Sequence, residues 1–198
     1  NIVREIVVYG ILSCALAFPL INGTFDLSIS SISALGGTTC AMLVTDGLYG
    51  VRMGLGGSVV TAALICAVIG AINGVIVAKT KIDPFIVTLG TQTAVRGLVY
   101  IVSNNTAITN LPDEFKDLSK REVLGVSISI WILIIVFVLM AIILGKTSYG
   151  RKIYAIGGNY QAAYLSGINV AAVRFSTYVI SGALAAIAGI LSTARVGS

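Results

Sequence analysis

Side chains able to carry out catalysis are few in this chain. Its 198 residues include no histidine and only eight acids, so a Ser-His-Asp triad, an HExxH zinc site and an imidazole proton relay are excluded. Cys14, Cys40 and Cys66 stand separately within apolar segments, without a CxxC pair. We interpret them as small buried side chains rather than disulfides or metal ligands. The sequence predicts no metal site, no cofactor and no catalytic residue.

The polar side chains of one short stretch favour binding over catalysis. Asp26, Ser28 and Ser31, with Ser30 nearby, lie between or at the start of apolar segments. Hydroxyl groups form hydrogen bonds without adding charge, so these residues could line a route for a neutral polar solute. The alternative for Asp26 is structural, because an Asp that precedes a helical run is a natural N-cap. Both interpretations are open from sequence.

Arg96 is the only charged residue between Pro84 and Leu111. A charged side chain at the centre of a membrane helix costs about 2.5–3.5 kcal/mol on insertion scales. We therefore expect Arg96 to face protein or water rather than lipid. It either braces a helical bundle or lies beside Gln92 on a solute pathway, whereas Pro84 marks a helix start.

Composition places these residues in a membrane protein. Hydrophobic residues make up 57% of the chain and charged residues 11%, against about 25% charged residues in a typical soluble domain. About 20 helical residues cross the hydrocarbon core, so apolar runs that are nearly or wholly free of charge predict spanning segments. We expect an all-α, polytopic transmembrane bundle with about six membrane segments, at residues 6–25, 27–45, 53–78, 84–111, 123–145 and 175–194.

The basic residues are scattered between these segments. There are 13 of them, giving a formal charge of +5, but no dense basic face, so we expect contact with membrane lipid and no nucleic-acid partner. All but Arg96 lie outside the predicted segments and divide evenly between the two sides of the predicted topology, so loop charge alone does not decide the orientation.

Two predicted segments carry small residues at four-residue spacing, which allows helix backbones to approach closely in a bilayer. Packing within one subunit is the simpler interpretation, and contact between subunits is the alternative. One stripe contains Ala62, Cys66, Gly70, Gly74 and Ala78, and the other Thr177, Ser181, Ala185, Gly189 and Thr193.

The uncharged run 153–173 is too polar to be a span, and we interpret it as a surface segment with short helices. The pair Gly157 and Gly158 predicts a sharp turn in which glycine takes positive φ. A short helix over 160–166 follows, with Asn159 as N-cap and Gly167 as its stop. Lys146, Arg151 and Lys152 lie beside this run and favour a cytoplasmic location.

Three blocks of sequence resemble one family. They are NIVREIVVYGILSCALAFPLINGTFDLSISS, INGVIVAKTKIDPFIVTLGTQTAVRGL and GRKIYAIGGNYQAAYLSGIN, and they occur in family order. They resemble the membrane permease subunits of bacterial ABC importers for ribose, xylose, arabinose and galactose, with related autoinducer and branched-chain amino-acid permeases. Ser30 departs from the first motif, which usually has glycine there.

The resemblance implies that residues 1–198 form a single transmembrane permease domain within a longer chain, in a multi-pass protein of the bacterial inner membrane. It implies a homodimer or a pair of related permeases, an ATP-binding cassette subunit that hydrolyses ATP, and an extracytoplasmic solute-binding protein. Residues 146–173 then form a cytoplasmic coupling loop that docks on the ATPase, although a helix lying at the bilayer surface is the alternative. Its predicted docking residues are Gly150, Arg151, Gly157, Gly158, Asn159, Ala162, Ala163, Ser166 and Gly167.

Two other functions are weighed against a permease powered by a separate ATPase. An ion-coupled secondary transporter usually needs an intramembrane acid that titrates, and here every acid lies at a segment boundary or in a loop. A membrane-embedded enzyme needs a cluster of catalytic side chains, which the sequence lacks. A Walker A motif is also absent from these residues.

Overall fold

The computed structural model describes residues 2–45 and 51–197. In this part of the chain the structure is almost entirely helical, which confirms the predicted fold class. The elements are α1 (Ile2–Ile21), α2 (Ile29–Val44), α3 (Leu55–Lys79), α4 (Pro84–Val102), α5 (Asp113–Lys120), β1 (Glu122–Val123), β2 (Val126–Ser127), α6 (Ile128–Lys146), α7 (Ser148–Gly158), α8 (Tyr160–Leu165) and α9 (Val170–Val196).

Six of the described helices are long and apolar, and they correspond to the six predicted segments. By length and composition, α3, α4, α6 and α9 are long enough to cross a membrane. The apolar parts of α1 and α2, at Glu5–Ile21 and Ile29–Val44, are shorter.

The helix bounds differ most from the predicted ones at the fourth, fifth and sixth segments, and the sixth, α9, begins at Val170 rather than at residue 175. The fourth begins at Pro84 as predicted, where the Asp83 carboxylate accepts the backbone N–H of Phe85 at 2.8 Å. It ends at Val102 rather than continuing to residue 111. The segment predicted from residue 123 begins with the hairpin β1–β2, which the sequence analysis did not anticipate; its turn holds Leu124 and Gly125 at φ +56° and +76°.

Helix α9 is the central element and packs against α1, α2 and α3. The contact with α3 is backbone to backbone, because a methyl group added to Gly70 would collide with the carbonyl oxygen of Tyr178. On the α2 side, a methyl group on Gly189 would collide with the carbonyl oxygen of Ser33. The two stripes of small residues therefore contribute to packing within one chain, as the simpler interpretation held.

The three cysteines are buried and free. Cys66 lies where α2, α3 and α9 meet, and its thiol donates to the carbonyl oxygen of Ile32 at 3.4 Å. Their interpretation as small buried side chains is confirmed.

Candidate functional site

The connection between α1 and α2, residues 22–28, turns inward and is organised by Asp26. The Asp26 side chain is 1% exposed. Its Oδ1 accepts the backbone N–H of Ser28 at 3.0 Å and the Ser28 hydroxyl at 2.5 Å. The N-cap of α2 is Ser28, and no side chain caps the first turn, so the predicted N-cap role of Asp26 is wrong. Asp26 instead lies two residues before the N-cap and holds Ser28 in place.

Hydrogen bonds extend from this connection to three other helices. Ser181 of α9 donates to Asp26 Oδ2 at 3.1 Å. Asn73 of α3 donates to the Ser28 hydroxyl at 2.9 Å, and Thr91 of α4 donates to Asn73 Oδ1 at 2.6 Å. We call Asp26, Ser28, Asn73, Thr91 and Ser181 the polar network. It joins α2, α3, α4 and α9 through side chains that are remote in sequence.

Burial determines the electrostatics of the network. Burial raises the pKa of the Asp26 carboxyl, and the hydrogen bonds from Ser28 and Ser181 lower it by less. Asp26 forms no ion pair with a described residue. The neutral form is thus favoured relative to an exposed aspartate, as in other buried carboxyls without a cation.

The predicted pathway role of Asp26, Ser28 and Ser31 receives no support from this geometry. All three side chains are almost fully buried, and none lines the two cavities described below. The structural interpretation of Asp26 accounts for its contacts, whereas the pathway role of these three residues remains a prediction.

Asp26→Leu should destabilise the bundle, whereas Asp26→Asn should be tolerated. Leucine leaves the hydroxyls of Ser28 and Ser181 without their acceptor, and an unsatisfied buried polar group costs about 1–3 kcal/mol. Asparagine keeps an acceptor oxygen and adds no charge. Thermal unfolding of the purified protein in detergent measures the difference, and equal unfolding temperatures for the two variants would contradict the structural role.

The other predicted pathway residues lie on α4, apart from Asp26. Arg96 is exposed and Gln92 is half-buried. The Arg96 guanidinium carbon is 5.8 Å from the centre of the Tyr100 ring, and Arg96 forms no ion pair with a described residue. The described part of the chain therefore does not bury Arg96, and that part of the prediction is wrong. Contact of Arg96 with water or with further protein remains a prediction.

Arg96→Leu should impair assembly or transport of the intact subunit, and Arg96→Lys should preserve more of both. At a helix centre, arginine costs about 2.5–3.5 kcal/mol of membrane-insertion free energy that leucine does not. The change is therefore harmful only if Arg96 makes a polar contact that assembly or transport requires. Membrane-embedded protein and solute uptake are measured for both variants. Parental behaviour of Arg96→Leu in both assays would show that this face tolerates lipid.

The coupling segment, residues 146–173, contains α7 and α8 as a pair of short helices, and its last four residues form the first turn of α9. The predicted turn at the two glycines is wrong in detail, because α7 continues through Gly158 and neither glycine has positive φ. The chain turns at Asn159, which is extended (φ −155°, ψ 104°). Gly157 serves close packing instead, since a methyl group there would collide with the carbonyl oxygen of Ile21.

The predicted limits of the second short helix agree with the structure. The Asn159 side chain accepts the backbone N–H of Ala162 at 2.9 Å, which confirms it as the N-cap. Gly167 has φ +80° just beyond the helix end, as a glycine stop requires.

The coupling segment is fixed to the bundle on one side and open on the other. Tyr149 of α7 forms a 2.7 Å hydrogen bond with Ser176 of α9, and the Arg174 guanidinium carbon lies 4.9 Å from the centre of the Tyr160 ring. Of the predicted docking residues, Gly150 and Ala163 are buried, and seven are exposed: Arg151, Gly157, Gly158, Asn159, Ala162, Ser166 and Gly167. The segment can therefore present a rigid surface to a partner.

Sequence reasoning missed a polar groove on the other side of α2. A cavity of about 370 Å³ lies between α1, α2 and α9, and it adjoins one of about 750 Å³ beneath residues 103–111. We call its hydroxyl-bearing wall the hydroxyl groove: Ser30, Ser33, Thr38, Ser192 and Thr193. No sequence signal separates these residues from the buried Ser31, because only helix placement decides which hydroxyls face the cavity.

The described helices thus define a polytopic helical membrane protein with a polar groove and an exposed helical pair after α6. All 198 residues match the family described as the branched-chain amino acid transport system permease component, and the chain belongs to this family. The ribose import permease protein of Haemophilus influenzae is 37% identical over 202 residues, covering 100% of this chain and 61% of its own length.

Two other permeases are similar to this chain along nearly all of its length. The L-arabinose transport system permease protein of Escherichia coli is 36% identical over 96% of this chain and 56% of its own length. The ribose import permease protein of Bacillus subtilis is 34% identical over 100% of this chain and 61% of its own length. The chain thus spans 56–61% of these relatives. No solved structure matches it.

Proposed function

We propose that this chain belongs to the permease subunit of an ABC importer in the bacterial inner membrane, and that its solute is a monosaccharide or a similar small neutral molecule. The observation that carries the proposal is similarity along the whole chain to ribose and arabinose permeases. The groove, which is rich in hydroxyl groups, supports a neutral polar solute.

In this proposal ATP is hydrolysed by a separate ATP-binding cassette subunit that docks on the exposed face of α7 and α8. The close contacts of α7 with Ile21 and Ser176 support the transmission of force from a docked ATPase to α1 and α9. An extracytoplasmic binding protein delivers the solute. A second permease, identical or related, completes the complex.

An ion-coupled secondary transporter is the second candidate, and one observation favours it. Asp26 is a buried carboxyl with no cation partner among the described residues, and proton-coupled carriers use such acids. Against this, Asp26 is held by three hydrogen bonds from Ser28 and Ser181, which suits a structural role.

The two candidates differ in their energy source. The full-length permease is reconstituted in vesicles with its ATPase and binding protein, and uptake of radiolabelled ribose and arabinose is measured. We expect uptake that requires ATP and both partners and that fails with a hydrolysis-deficient ATPase. Uptake by the permease alone, driven by a proton or sodium gradient, would overturn the proposal in favour of the second candidate.

A further inference from the structure

The hydroxyl groove brings together on one cavity five hydroxyl groups that are free to bind a ligand. Many membrane hydroxyls donate to the backbone carbonyl four residues earlier, as Thr45, Thr88 and Thr93 do here at 2.8, 2.8 and 3.2 Å. In the groove, the five hydroxyls form no hydrogen bond to a described residue. Hydroxyls without partners are unfavourable in an apolar setting unless water or a ligand binds them.

The groove hydroxyls also face one space from two helices. Ser30, Ser33 and Thr38 lie on one side of α2, and Ser192 and Thr193 face them from α9. The cavity between them, about 370 Å³, falls within the range of roughly 300–1,000 Å³ of small-molecule sites. Tyr9 of α1, 68% exposed, adds an aromatic surface against which the C–H face of a sugar ring can pack.

The charged side chains at the cavities are paired. Arg195 and Glu5, which line the smaller cavity, form an ion pair at 2.8 Å. Lys116, which lines the larger one, pairs with Asp113 at 3.3 Å. A neutral solute needs no counter-charge, whereas an anion or cation would have to compete with these pairs.

We propose that the hydroxyl groove binds a neutral polyhydroxylated solute of monosaccharide size during its passage along α2 and α9. Hydroxyl donors and acceptors on both walls match the hydroxyls of such a solute, and Tyr9 packs against its apolar face. This inference rests on the proposed function and assigns the solute contacts to residues of which the sequence analysis named only Ser30.

Cysteine accessibility tests the groove in the intact transporter. Thr38→Cys places a thiol in the groove, and Thr39→Cys on the neighbouring residue, which is 2% exposed and lines neither cavity, is the matched control. The native cysteines are buried, so the parent protein gives the background. Each protein, in complex with its partners, is treated with a water-soluble thiol reagent, with and without ribose, arabinose, leucine or gluconate.

We expect the reagent to modify Thr38→Cys and not Thr39→Cys, with protection by ribose or arabinose and none by leucine or gluconate. Combining Ser192→Ala with the reporter Thr38→Cys should raise the sugar concentration that gives half-maximal protection by roughly fivefold, which is the effect of one lost hydrogen bond. Adding Thr93→Val on α4 should not change it. Ser30→Cys, at an exposed residue that lines the same cavity, is a second reporter with the same expected pattern.

Three results would overturn the inference. Absence of modification at both reporters would mean that other protein fills the groove. Modification without sugar protection would show a water-filled groove that binds no solute, and protection by leucine or gluconate would contradict the neutral polyol. ATP-driven uptake is measured in parallel on the parent complex: normal uptake with failed protection overturns the groove alone, whereas absent uptake overturns the proposed function.

Discussion

Gly189→Ala should prevent stable packing of the bundle, whereas Gly97→Ala should leave it intact or slightly stabilise it. The new methyl group at residue 189 collides with the backbone carbonyl of Ser33, so α2 and α9 must separate along the contact. Inserting a methyl group into a well-packed interior costs typically 1–3 kcal/mol, and backbone atoms yield less easily than side chains. We therefore expect a loss of about 3 kcal/mol.

Gly97 is the matched control because it is a helix-interior glycine with no atom within 4 Å of an added methyl group. Alanine there should gain up to about 1 kcal/mol from helix propensity. Thermal unfolding in detergent and the fraction of monodisperse protein measure both variants. If Gly189→Ala unfolded at the parental temperature, the close contact between α2 and α9 would not be a determinant of stability.

Ala162→Trp should uncouple ATP hydrolysis from solute uptake while membrane insertion and folding stay normal. Ala162 is exposed on α8, so a large side chain there fits without disturbing the bundle and instead occupies the space of a docked ATPase. We expect uptake to fall by roughly tenfold or more, which corresponds to about 1.4 kcal/mol of lost docking energy. Gly158→Val, where an added methyl group meets no atom within 4 Å, should behave in the same way.

Ala162→Ser is the control, because it changes the chemistry of the position without adding bulk. ATP hydrolysis, uptake and thermal stability are measured for all three variants in the reconstituted complex. Normal coupling in both Ala162→Trp and Gly158→Val would favour the alternative that α8 lies at the bilayer surface. A lowered unfolding temperature in either variant would show that its effect is structural and would contradict docking at that residue.

The sequence predicts those parts of the fold that depend on local chemistry. The apolar helices follow from runs with little or no charge, because a bilayer imposes the same length and polarity on every span. The cap at Asn159 and the stop at Gly167 are equally local, since a side chain meets a backbone group three residues away or a glycine relieves strain at its own φ. The pair Gly157 and Gly158 shows the limit: Gly157 is required by a contact with Ile21, not by a turn.

The candidate site depends instead on contacts between distant residues. Nothing near Asp26 in sequence indicates that Ser181 donates to it or that Asn73 reaches Ser28. For the same reason, Ser31 and Ser33 look equivalent in sequence although only Ser33 lines the groove. The hairpin β1–β2 was missed because two-residue strands carry too little periodicity to detect.

The central position of α9 constrains the order in which the bundle can assemble during synthesis. Asp26 receives one of its three hydrogen bonds from Ser181, 155 positions later. At about 5–20 residues per second the ribosome needs roughly 8–31 s to make that interval. During this time α1, α2 and α3 enter the membrane without the helix against which their glycine and hydroxyl faces pack. Until α9 is made, the Asp26 carboxyl and several close-packing surfaces must therefore be covered by water, lipid or an insertion factor. During this interval misassembly and proteolysis compete with folding.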